Sequence, residues 1–231
     1  MKSRIRALLS SVVLAASVLP ASANFTDGVI RIGVLTDMSG PFADVSGSGS
    51  VEAARMAIEK LGGKIAGIPV EVIFADHQNK ADIGAQIARK WIDTEGVDVI
   101  LDTPNSAVAL AVNEIARDTG KVLLISGAAA SDITGPKCSP TTVHWTYDTW
   151  ALANTTANAI IGQGGKKWYF MTADYAFGHA IQRDVTALVE AQGGEVVGSV
   201  RHPLNTADFS SFLLQAQSSD AQIIGLANAG A

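Results

Sequence analysis

The sequence predicts an α/β protein of two lobes, each a parallel sheet flanked by helices, and three observations carry that expectation. Short β-branched runs recur along the chain, stretches with apolar residues three and four apart stand between them, and the alternation breaks once near the middle. Such alternation calls for parallel pairing through right-handed crossovers, with helices covering both sheet faces.

The first strand run covers 29–35, after which Val51, Ala54, Ile58 and Leu61 share one helical face. A run at 70–74 is followed by the helical spacing of Ile83, Ile87 and Trp91, and one at 97–101 by that of Val108, Val112 and Ile115. The fourth run, 121–126, leads into 127–148, where Gly135, Pro136, Ser139 and Pro140 interrupt any helix. The lobe boundary is placed there, giving a first lobe over 24–142 and a second over 143–231. In the second, Leu152, Thr156, Ala159 and Ile160 read as helix, followed by strands at 168–172, 195–200 and 223–227. Helical spacing separates these strands, first at Ile181, Val185 and Leu188, then at Phe209, Phe212, Leu213 and Ala216. The final strand has no covering helix after it, so the second lobe is expected to be incomplete and the chain a fragment.

Residues 1–23 read as a signal peptide: Lys2, Arg4 and Arg6 precede a largely apolar stretch over 7–19, then Pro20 and the small residues Ala21, Ser22 and Ala23. The stretch falls short of the roughly 18 apolar residues of a spanning helix. Cleavage after Ala23, with no cysteine at the junction to take a lipid, would release Asn24 onward as an exported, free chain.

With 48% hydrophobic and 17% charged residues, the 231-residue chain is too apolar for disorder and too interrupted for a membrane bundle. Its net charge of −5 becomes more negative once the leader's three cations are lost, and no basic stripe offers itself to nucleic acid. Cys138, between Lys137 and Ser139, is the single cysteine, so no intrachain disulfide can form.

Enzyme signatures are missing. Gly47 and Gly49 begin a dinucleotide pattern whose third glycine position is Glu52, too far from the preceding strand for the tight turn required. No phosphate-binding loop and no Gly-x-Ser-x-Gly elbow occurs. His77, His144, His179 and His202 lack the spacing that aims two imidazoles at one metal. No catalysis, cofactor or metal is therefore expected.

What remains is a set of small polar turns at strand ends, where open parallel sheets bind ligands. The run from Asp102 to Ser106 ends the third strand and opens a helix, and its free N–H groups with the Ser106 hydroxyl would accept a carboxylate. The run from Gly127 to Ser131 offers further backbone and the Ser131 hydroxyl. Helix capping accounts for either alone; two at neighbouring strand ends favour a ligand. Trp145, Tyr147, Tyr175 and Phe177 could form an aromatic wall, with core filling as the alternative. The ligand expected is a small amphipathic acid.

Residues 30–36 followed by Met38, Ser39, Gly40 and Pro41, Asp76 with Asn79, the run 125–134 and the run 174–178 together resemble the type I periplasmic solute-binding proteins that take leucine, isoleucine and valine to ABC importers. The resemblance implies a two-lobed periplasmic-binding-protein type I fold with three chain crossings, only the first of which, near His144, is present. It also implies a monomer that closes over one solute and docks on a membrane permease. By position it assigns Asn105 and Ser106 to the ligand carboxylate, with Ala129, Ala130 and Ser131 as a second contact. Phe177, with Tyr175 beside it, matches the second lobe's aromatic residue, and Asn228 ends the strand whose following loop reaches the ligand. Gln78 and Pro104 stand where amino-acid binders carry a disulfide pair, and Val45 and Ser46 where they carry a covering aromatic. Residues 76–80 and 144–148 look more like the branch that takes up aromatic or other organic acids. The acidic residue that holds an amino group in the amino-acid binders would lie beyond Ala231. The competing expectation is a sensor domain using the same clamp to report a ligand to a signalling partner.

Overall fold

The structure, a computed structural model, describes residues 27–229. The expected leader and its cleavage point lie outside them. The first lobe runs β1 (Ile30–Thr36), α1 (Gly47–Lys60), β2 (Lys64–Ile65), β3 (Ile68–Asp76), α2 (Ala81–Thr94), β4 (Val99–Asp102), α3 (Ser106–Thr119), β5 (Val122–Ile125) and β6 (Thr142–His144). These strands form one sheet in the order β2-β3-β1-β4-β5-β6, parallel except for β2, which folds back antiparallel on β3.

The one-sided helices read from the sequence bury most of their apolar faces against this sheet, except that Leu61, read with the first helix, follows α1 and is exposed. Trp91 of α2 lies on Gly33 of β1, where a Cβ would stand 2.5 Å from the indole, so the central strand gives up a side chain to seat the ring. Val108, Val112 and Ile115 of α3 join Leu35, Ile100 and Leu123 in the same core. Asn105 caps α3 by accepting from the backbone N–H groups of Ala107 and Val108, and Gly120 ends it in the left-handed region at φ +69°.

The second lobe begins with a continuous helical stretch, α4 (Thr149–Leu152), a wider π-type turn (Ala153–Ala157) and α5 (Asn158–Gly162). It continues with β7 (Lys167–Ala173), α6 (Ala176–Ala191), β8 (Glu195–His202), α7 (Ser210–Gln217) and β9 (Ile223–Ala227), its strands all parallel in the order β8-β7-β9. Trp168 and Phe170 stack with ring centres 6.1 Å apart and pack with Ile161, Val185 and Val189.

All seven expected strands are present, each within a few residues of its expected bounds. Two more were not anticipated. β6 carries the first sheet through His144, two residues beyond the expected boundary, because Thr142 and His144 complete the ladder on β5. β2 is a two-residue fold-back too short to leave a periodic trace. Among the described residues, no helix is long and apolar enough to cross a membrane.

The first turn of α6 rests directly on the ends of the second sheet. A Cβ at Gly178 would lie 2.0 Å from the carbonyl oxygen of Ala173 and 3.0 Å from that of Ala227, backbone atoms that cannot swing aside. Gly178→Ala is therefore expected to destabilise the lobe by about 1–3 kcal/mol, read as a lower urea midpoint.

Candidate functional site

The carboxyl ends of both sheets face one cavity of about 790 Å³. The first lobe lines it with Phe42 and Ser46 from the loop after β1, Asp102 at the end of β4 and Pro104 just after it, Ser106 at the start of α3, and Ser126 and Ala129 after β5. From the second lobe come Tyr147, Tyr175, Phe177 and Ala229.

Ser106 is 1% exposed. Its Oγ accepts from the backbone N–H groups of Ala129 at 3.3 Å and Ala130 at 3.2 Å. A hydroxyl that accepts twice still has its own proton to donate. Opposite it, the Tyr175 ring spans the lobes, 6.4 Å from Phe42 and 6.0 Å from Phe177 between centres. Burial pushes the Tyr175 phenol up from its ordinary value, so it stays neutral.

Among the described residues lining the cavity, the one that is charged is Asp102, 2% exposed. Its Oδ1 accepts from Ser126 Oγ at 2.7 Å, and its Oδ2 accepts from the Ser46 hydroxyl. Ser46 Oγ lies in turn 3.1 Å from both Thr36 Oγ1 and Ser50 Oγ. Asp102 and Thr103 hold φ +90° and +53°, values side chains resist, and strain of about 1–3 kcal/mol apiece is the usual cost. The Thr103 N–H, bonded to the Leu35 carbonyl at 2.9 Å, helps fix that turn.

Four expected ligand residues have other partners. Asn105 Oδ1 accepts from Ala107 N–H at 2.7 Å and Val108 N–H at 3.3 Å, while its amide donates to Asn79 Oδ1 at 2.5 Å. These N–H groups at the start of α3, expected to face a carboxylate, are thus already bonded. Ala129 and Ala130 spend theirs on Ser106, and of the pair only Ala129 lines the cavity. Ser131 is not among the lining residues: its hydroxyl donates to Asp184 Oδ2 of α6 at 2.6 Å and accepts from Arg183 Nη2 at 2.8 Å. Thr149 Oγ1 donates to the same Asp184 oxygen at 2.6 Å and accepts from the Ser131 N–H at 3.0 Å. Arg183 also pairs with Asp132 at 2.9 Å, so Ser131 belongs to a polar seam between the lobes.

Asn228 is exposed and lines a separate apolar cavity of about 280 Å³ with Leu152, Ile160, Trp168 and Phe177. Tyr147 is 63% exposed although it lines the main cavity, whereas Trp145, 83% exposed, lines none of the cavities described here. Sequence reasoning missed Phe42 and Ser126, placed Ser46 only where relatives carry a covering aromatic, and gave the Asp102 carboxylate no role. The signal available for Asp102 was an acid closing a buried strand.

Behind the site, the turn after β3 is held by Asp76, whose carboxylate accepts from Ser39 Oγ at 2.6 Å, Met38 N–H at 3.0 Å and Gln78 N–H at 2.7 Å. Burial alone would push its carboxyl up, but these hydrogen bonds outweigh it and hold the group below its ordinary value. His77 is fully buried, and burial pushes its imidazole down against the pull of Asp37, Asp76 and Asp102. Its Nδ1 accepts from the Asn79 N–H at 3.0 Å, which leaves Nε2 to carry the proton, without a hydrogen-bond partner. Among the described residues, no three His, Cys, Asp or Glu side chains are grouped to hold a metal ion.

A family profile described as periplasmic binding protein matches residues 29–231. The chain belongs to the periplasmic binding protein family. Within it, a curated relative named Leu/Ile/Val-binding protein homolog 6, from Brucella abortus, is 30% identical over 215 residues, covering 90% of this chain and 53% of its own length. The chain thus spans about half the length of the curated relatives it matches. A crystal structure of a periplasmic binding protein from Burkholderia mallei superposes with a TM-score of 0.85 at 54% identity, covering 88% of this chain and 54% of that one. An ABC-transporter solute-binding protein from R. palustris, solved with benzoate, gives a TM-score of 0.79 at 26% identity, covering 88% of this chain and 56% of its own.

Two outcomes follow from the geometry. In the unfolded chain His77 takes up a proton near its ordinary 6.5, whereas the fold keeps it neutral to lower pH, so stability falls as pH drops through that value. Thermal midpoints measured from about pH 7.5 down to about 5.5 should decline, and His77→Gln should flatten the decline. Ser131→Ala should lower the unfolding free energy of the ligand-free protein by about 1–3 kcal/mol in urea titration, the usual cost of a lost hydrogen bond to a charged group. Unchanged stability with weakened ligand binding would return Ser131 to the ligand-contact role.

Proposed function

We propose that this chain is the ligand-capturing part of a periplasmic receptor serving an ABC importer. It is exported after cleavage behind Ala23, acts as a monomer, and encloses a small amphipathic acid, either a branched-chain amino acid or an aromatic acid, between its lobes for delivery to a membrane permease. The observation that carries this reading is the placement of the cavity. Both sheets direct their carboxyl ends at it, Ser106 offers a buried hydroxyl proton on one side, and Phe42, Tyr175 and Phe177 supply an aromatic wall drawn from both lobes. The Leu/Ile/Val-binding relative and the benzoate-bound neighbour support the two ligand classes.

In this mechanism the ligand carboxylate accepts from Ser106 Oγ–H. The two backbone N–H groups that bond to the same oxygen polarise it and make it a stronger donor. The apolar body of the ligand lies against the rings. Closure is favoured because each lobe gains contacts only when the other has approached, which shifts the population toward the closed state.

A thermal-shift screen of the full-length protein against leucine, isoleucine, valine, benzoate and 4-hydroxybenzoate should raise the midpoint with at least one of them. No response to any of them would overturn the reading. For whichever acid binds, Ser106→Ala should weaken calorimetric affinity by about 1–3 kcal/mol, the cost of leaving a charged acceptor unsatisfied.

A further inference from the structure

We infer that Asp102 is a specificity-determining residue that receives the ammonium group of the ligand, so that this cavity selects a zwitterionic amino acid over the corresponding plain carboxylic acid. The inference rests on the reading above and narrows it. Asp102 is buried and lines the cavity, and among the described residues that line it there is no Lys, Arg or His to pair with it. Each of its oxygens accepts one hydroxyl, Oδ1 from Ser126 and Oδ2 from Ser46. A carboxylate oxygen has two lone pairs, so acceptor capacity remains on both.

Charge decides which ligand fits. A plain acid would bring a second negative charge beside the buried Asp102 carboxylate. An amino acid brings a compensating positive charge, and its carboxylate remains available to Ser106. The turn that carries Asp102 and Thr103 keeps both residues at positive φ, a conformation that needs support. The hydroxyls of Ser46 and Ser126 satisfy the carboxylate in part without neutralising it.

The test compares matched pairs by calorimetry on the full-length protein: L-leucine with 4-methylpentanoate, and L-phenylalanine with 3-phenylpropanoate. The wild type is expected to hold the amino member of at least one pair about tenfold or more tightly, and Asp102→Asn to abolish that preference. The wild-type comparison needs no variant, so it decides the matter even if Asp102→Asn does not fold. Equal or tighter binding of the deaminated acids overturns the inference while leaving the receptor reading intact. So does a preference that survives in a folded Asp102→Asn protein. Failure of every member of both pairs, and of the aromatic acids, overturns the receptor reading and the inference with it.

Discussion

Parallel pairing constrains everything else in this molecule. Because β1, β3, β4 and β5 run the same way, their carboxyl ends emerge together, and every connection that follows them begins at the same edge of the sheet. The same holds for β7, β8 and β9. Two sheets brought edge to edge then enclose a cavity without any side chain having to reach far. The polar groups that line it stand within a residue or two of a strand end or at the first turn of a helix. That is why Ser106, Ser126 and Asp102, separated in sequence, share one wall.

This geometry places a cost on the backbone. The turn after β4 must reverse quickly enough to start α3 at Ser106, and it does so through two non-glycine residues at positive φ. Gly127 answers from the neighbouring strand end, where a Cβ would press on Pro104 at 3.1 Å. The crowding of β4 and β5 at their ends is the local condition for the Ser106 hydroxyl to meet the N–H groups of Ala129 and Ala130. The resulting wall is rigid and prearranged, so a ligand would not have to order it.

Much of the fold was legible because burial imposes period. The faces of α2 and α3 repeat as Ile83, Ile87, Trp91 and as Val108, Val112, Ile115, and continuous apolar runs mark the inner strands β1 and β7. β6 was not legible: three residues in a glycine- and proline-rich stretch become a strand only because β5 offers a free edge. The candidate site was legible where a residue type is tied to its own turn, as with Ser106, Tyr175 and Phe177. It was not where the partner comes from far along the chain. Nothing near Ser131 announces Asp184, which stands on a helix of the other lobe, so a hydroxyl that reads locally as a ligand donor proves to be engaged elsewhere.

The seam around Asp184 bears on how two such lobes would part. Its contacts join hydroxyl, guanidinium and carboxylate groups, each of which water would replace were the lobes to part. A greasy hinge would weld shut, since every exposed methylene would resist reopening. Under the receptor reading proposed above, wetting here would offset most of the loss, and release of a ligand would be a matter of hydration instead of rupture.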